Sequence, residues 1–166
     1  IAHIAPHFTM KRQLDDYIDK YYSKLFESSA ALHKDNYAKA RVLAAWKRNV
    51  YKKWSGISVQ EMRIPQNTQE SLKLGDLFVS EVHLNMNGLC CEDIGVEVIF
   101  GRKENDVVNK IIYKRELEGE NGENGTGVYS CSFPISRAGV YDFTFRVFPK
   151  NPGLVHPQEM KLVKWI

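Results

Sequence analysis

The 166-residue chain has only three cysteines, Cys90, Cys91 and Cys131, with two adjacent and no CxxC spacing. An odd, adjacent set is not a disulfide framework and offers no tetrahedral zinc site. Reduced thiols and a cytoplasmic location are the expectation. No apolar run approaches the ~20 residues of a membrane span, and no basic-then-apolar leader opens the chain. Signatures of catalysis are lacking too. The glycines from Gly119 to Gly127 have the wrong spacing for a phosphate loop, and no helix is expected after them. There is no G-x-S-x-G and no H-E-x-x-H. His3 and His7 are four apart, but Pro6 lies between them and no carboxylate or cysteine completes a ligand set, so no metal is expected. A formal charge of +3 is too small to imply a polyanionic partner. The basic residues gather in one helix without an RNA-binding aromatic signature, so nucleic acid is not expected.

What is present begins with a helix. In the stretch 36–59, Ala38, Val42, Trp46, Val50 and Trp54 recur every four residues, and Leu43 and Ala45 widen the stripe. Asp35 is the expected N-cap and Gly56 the expected stop. Lys39, Arg41, Lys47, Arg48, Lys52 and Lys53 cover the other faces, the last four where the helix dipole favours cations. They read as a solvated basic face, with contact to an acidic partner domain or an anionic ligand as the alternative. A first helix is predicted from Thr9, with an apolar stripe of Leu14, Ile18, Tyr21, Tyr22 and Leu25. Each helix has one apolar face to hide, so the two are expected to pair as an αα-hairpin.

After Gly56 the period changes to two. Ile57, Val59, Met62 and Ile64 switch parity, which predicts a bulge or a switch of sheet. Phe78, Val82, Leu84 and Met86 alternate with Glu81, His83, Asn85 and Asn87, giving one buried and one wet face. Further strands are expected over Ile94–Phe100, Val107–Leu117, Tyr129–Phe133, Tyr141–Val147 and Lys161–Trp165. The segment Glu118–Gly127 reads as a flexible hairpin tip. Seven short antiparallel strands suggest a sandwich, and Gly139-Val140-Tyr141 resembles a tyrosine corner. The expected fold is therefore α+β: an N-terminal helical hairpin or connector over residues 1–56, then an immunoglobulin-like β-sandwich over 57–166.

Few residues invite a chemical role. Cys131 falls on an inward strand face and reads as an inert core thiol. Glu92 and Asp93 read as a solvated turn. Trp46, Trp54 and Trp165 are candidate sugar platforms, because a pyranose has a flat apolar face. The first two lie on the helix stripe and read as packing. The wet face Glu81, His83, Asn85 and Asn87 offers hydrogen-bonding groups for a glucan and, equally, fits a merely solvated strand.

Three stretches read together resemble one family. HFTMKRQLDDYIDKYY is similar to the F-S-x-R-R-M-V-x-x-Y-x-x-x-Y-Y near the end of the catalytic region of a branch of bacterial α-glucan phosphorylases. NYAKARVLAAWKRNVYKKWSGISV is similar to the A-x-x-L-A-x-W-K-x-x-V-x-x-x-W-x-x-V that follows there. From GVEVIFGR to the final LVKW, the tail resembles that branch's closing V-E-x-Y-x-G, G-x-Y-x-F-x-x-R-V-x-P-x-x-P-x-L and L-V-x-W. Departures are Thr9-Met10-Lys11 for the usual Ser and Arg, Cys90-Cys91 where a Pro-containing turn is common, and a longer 118–127 segment.

The resemblance implies a parent enzyme that transfers a glucosyl unit between an α-1,4-glucan and phosphate. Its pyridoxal phosphate would be held by a lysine in a motif like E-x-S-G-T-x-N-M-K, which this chain lacks. The resemblance therefore assigns no catalytic or cofactor residue here. It implies that residues 8–26 end a catalytic body and that the chain, which opens at Ile1, is a trimmed piece of something longer, inactive alone. Expected partners are the catalytic domain of the same polypeptide, a second copy in a homodimer, and an α-1,4-glucan. The competing readings are a free-standing carbohydrate-binding module and a protein-interaction sandwich.

Overall fold

The computed structural model of the chain describes residues 9–64, 74–104, 107–136 and 141–166. His3, Pro6, His7, and Gly139 and Val140 of the expected tyrosine corner lie outside them. The chain divides into two compact units, Ile1–Lys47 and Arg48–Ile166.

The first unit is helical. Thr9 caps α1 (Met10–Tyr17), its hydroxyl accepting from the Arg12 N–H at 3.2 Å. One wider turn, Ile18–Tyr22, leads into α2 (Ser23–Lys53). The expected αα-hairpin does not hide the apolar stripe. Leu14, Ile18, Tyr21, Tyr22 and Leu25 are each 47–58% exposed, and Phe26 reaches 75%. A second expectation also fails. Asp35 does not adopt an extended N-cap conformation, because Lys34–Tyr37 interrupt α2 and Asp35, Asn36 and Tyr37 take φ of 50°, 51° and 61°. The physical reason is local: Asp and Asn are the non-glycine residues that enter the left-handed region most readily, so Asp35-Asn36 makes a break rather than a start.

The second unit opens on the last turns of α2. Val50 and Trp54 are buried, and the stop expected at Gly56 is present. Trp54–Gly56 form a 3₁₀ turn, the Ile57 N–H bonds the Trp54 carbonyl at 3.2 Å, and β1 (Ser58–Arg63) follows. Then come β2 (Leu77–Asn85), β3 (Ile94–Glu104), β4 (Val107–Glu116), β5 (Glu118–Asn121), β6 (Thr126–Pro134), β7 (Tyr141–Pro149) and β8 (Lys164–Trp165).

They form two four-stranded antiparallel sheets, ordered β1-β2-β6-β5 and β4-β3-β7-β8. The predicted parity switch is a register shift between Val59 and Glu61. The segment expected to be all hairpin tip holds a strand: β5 pairs with β6, and only Glu123–Gly125 make the turn. Leu117 explains it. This buried residue bonds its N–H to the Val96 carbonyl at 2.8 Å, between a strand of one sheet and a strand of the other.

The sheets meet through aromatic rings. Phe78 of β2 packs edge-on against Phe100 of β3 at 5.1 Å and Phe143 of β7 at 5.2 Å, while Phe133 of β6 meets Phe100 at 5.9 Å. Val82, Val96, Val98 and Val147 complete a core with no exposed surface. The architecture is α+β. Among the described residues, no helix is long and apolar enough to cross a membrane.

Candidate functional site

The wet face of β2 is a joined network rather than a row of separate groups. His83 Nε2 lies 2.6 Å from Glu81 Oε1, and Arg63 donates to that same oxygen at 2.8 Å. Arg63 also grips Glu61, Nε to Oε1 at 2.8 Å and one terminal N–H to Oε2 at 3.0 Å. The register explains the meeting, since Arg63 lies opposite Glu81 and Glu61 opposite His83. The bond from His83 holds the Glu81 carboxyl below the usual carboxylate range, with Arg63 adding to the effect. Arg63 likewise holds Glu61 low. Glu61 and Arg63 escape a reading of β2 alone, because only the bulged register places them beside it.

Asn85 and Asn87 do different work. The Asn85 side chain accepts from the Asn87 N–H at 2.9 Å. Asn87 sits past the strand end with φ 49°, and its Nδ2 donates to the Lys53 carbonyl at 2.9 Å. That carbonyl is one of the unpaired groups at the C-terminus of α2. Lys53 returns a bond from Nζ to the Gly88 carbonyl at 2.6 Å. A side chain at Gly56 would run into Asn87, since its Cβ would lie 2.3 Å from Nδ2. Of the four residues singled out from the sequence, the structure joins Glu81 to His83, and it uses Asn87 to cap a helix.

The thiols are quiet. Cys90 donates to Asp93 Oδ2 at 3.0 Å, and the Cys90 N–H reaches the same oxygen at 3.1 Å. Burial, then the bonds to Asp93 and Glu92, push the Cys90 thiol up to about 12. Cys131 is buried against Ser80 Oγ at 3.2 Å, and burial raises its thiol as well. Such thiols stay protonated near neutrality and make poor nucleophiles. A depression of about 430 Å³ is lined by Cys91, Glu92, Gly119, Lys150, Asn151 and Pro152. Lys150 is tied to Glu116 at 2.6 Å. Among the described residues, no group of three or more His, Cys, Asp or Glu side chains is placed to hold a metal.

The tryptophans separate. Trp54 is buried, at 7% exposure, and Trp46 is half-buried. Trp165 on β8 is 58% exposed, with the Arg146 guanidinium 5.6 Å from its ring centroid.

The chain is similar to known proteins over nearly its whole length. A family model described as the glycogen phosphorylase C-terminal domain matches residues 54–166. A maltodextrin phosphorylase of Thermococcus litoralis is 26% identical over 174 aligned residues, covering 99% of this chain and 19% of that protein. Glycogen phosphorylases of Mycobacterium bovis and Mycobacterium tuberculosis are 24% identical over 161 residues, covering 96% of this chain and 18% of each. The chain spans about a fifth of the length of the curated relatives it matches.

Proposed function

The chain belongs to the glycogen phosphorylase C-terminal domain family, and from that premise we propose that it is the non-catalytic C-terminal region of an α-glucan phosphorylase. Residues 1–56 are then the end of the catalytic body and a connector, and residues 57–166 an appended immunoglobulin-like sandwich. The observation that carries the reading is extent. Similarity runs over 96–99% of this chain, helices included, and over only 18–19% of the relatives.

The exposed stripe of the helical unit supports the same reading. Leu14, Tyr22, Leu25 and Phe26 are each at least half exposed. Burying each would contribute roughly 1.5–3 kcal/mol. The catalytic domain of the same polypeptide is the partner for this stripe, which would pack on an apolar surface of that domain. A homodimer contact is a second role for this region, and a cytoplasmic location goes with the reading.

In the complete enzyme the reaction breaks the C1–O4 bond at the glucan end. C1 joins a phosphate oxygen and O4 receives a proton, releasing glucose 1-phosphate. No residue described above matches a pyridoxal-phosphate lysine motif, so the cofactor falls to the catalytic domain and no step is assigned to this chain. The test is to assay the complete polypeptide with maltodextrin and inorganic phosphate. Phosphate-dependent release of glucose 1-phosphate is the expected result. Its absence, with pyridoxal phosphate supplied and the protein folded, would overturn the reading.

A further inference from the structure

We propose that Trp165 and the Arg146–Glu97 pair form a glucan-docking platform on the outer face of the β4-β3-β7-β8 sheet. The proposal rests on the phosphorylase reading for its ligand class, an α-1,4-linked glucan.

The platform is one cross-strand row. Glu116 of β4 lies opposite Glu97 of β3, Glu97 opposite Arg146 of β7, and Arg146 opposite Trp165 of β8. Arg146 Nε donates to Glu97 Oε1 at 2.5 Å, and a terminal N–H of Arg146 reaches the same oxygen. The Glu97 side chain is only 9% exposed, so the guanidinium is fixed from one side. It keeps 31% of its own side chain in solvent and lies over the indole. Lys150 closes the far end of the row on Glu116 at 2.6 Å.

Trp165 is exposed without being loose. The next residue, Ile166, exchanges two backbone bonds with Phe145, at 3.0 and 3.1 Å, and its carbonyl also accepts from Thr144 Oγ1 at 3.2 Å. On the other side, Lys164 Nζ donates to the Ile57 carbonyl at 2.5 Å. The strand is therefore pinned on both sides of an indole that remains 58% exposed.

The chemistry beside the ring selects the ligand. This exposed ring ends a row of Glu, Glu and Arg, polar side chains that hydrogen-bond a hydroxylated ligand. A pyranose suits it. Its C–H face covers the indole, and its equatorial hydroxyls meet a planar guanidinium that donates in a fixed fork. Consecutive α-1,4 residues would run from Trp165 along the row.

The test uses the 166-residue chain, electrophoresed in native gels cast with soluble glycogen, with amylose or with dextran, an α-1,6-glucan. We expect retardation by glycogen and amylose and none by dextran. Trp165→Ala weakens retention about tenfold, the scale of one aromatic contact, and Trp165→Tyr restores most of it. Thermal transitions of both variants are expected to match the parent chain. No retardation of the parent chain, or equal retardation of Trp165→Ala, overturns the platform.

Glucose 1-phosphate release by the complete polypeptide from a short maltodextrin keeps the two proposals apart. Release that persists while retention never appears overturns the platform alone. Loss of release in Trp165→Ala, without any retention to lose, would assign the ring to packing and also overturn it.

Discussion

The two units use similar residues and treat them in opposite ways. In the β unit, Phe78, Val82, Leu84, Tyr129 and Phe145 are at most 1% exposed. In the helical unit, Leu14, Tyr21, Tyr22 and Phe26 are 50–75% exposed. Composition does not separate them; coverage does. A sheet face can be covered by a second sheet made from the same chain. The helix stripe has no such cover among the described residues, and burial begins only at Val50 and at Trp54 in the turn that follows α2. Residues 48–166 thus carry their own core, and the helical unit leaves its apolar stripe exposed.

The largest effect expected from breaking this contrast is in the β core. Phe78→Ala removes a ring that touches Phe100, Phe133 and Phe143. Loss of about 3–5 kcal/mol is expected, read as a lower denaturant midpoint. Next is Gly95→Val on β3. Even a Cβ there would lie 2.4 Å from the Phe148 ring, and roughly 1–3 kcal/mol of overpacking strain is expected in the same measurement.

A smaller effect follows pH. Below pH 9 the Cys90 thiol is protonated in both folded and unfolded chains and contributes nothing. Above it the unfolded thiol ionises first, because the folded value is about 12. Stability should therefore fall between pH 9 and 12, and less steeply in Cys90→Ser. The smallest effect is in the helical stripe. Leu14→Ser with Phe26→Ser should change the unfolding free energy of this chain by under about 0.5 kcal/mol. An equal change in the complete polypeptide would show that the stripe has no partner there.

Much of the β unit was legible in sequence because alternation reports a half-buried strand directly. The bulge near Val59 showed as a change of parity, and the helix stop showed as Gly56. What escaped was set by register. Glu118–Asn121 is rich in Gly, Glu and Asn and reads as a turn, yet Leu117 pins its start and β6 pairs it. Asp35 reads as a cap, and only the chain's local path shows it in a left-handed break.

The candidate residues fared unevenly for the same reason. Glu81 and His83 were visible as a wet face, but their partners Arg63 and Glu61 come from across the bulge. Asn87 shares their alternation and leaves the strand to cap α2. Trp165 was visible as a candidate sugar platform at the end of an expected last strand. Its row with Arg146 and Glu97 exists only once β8 is paired.

Hydrogen exchange tests the central contrast most directly, measured on this chain alone and on the complete polypeptide. Amides of Met10–His33 should exchange fast in the chain alone, while those of β2, β3, β6 and β7 exchange near the rate of global unfolding. In the complete polypeptide the helical amides should slow by at least about a hundredfold, as expected when an exposed stripe gains a partner. Equal helical exchange in both proteins, fast or slow, would contradict the account.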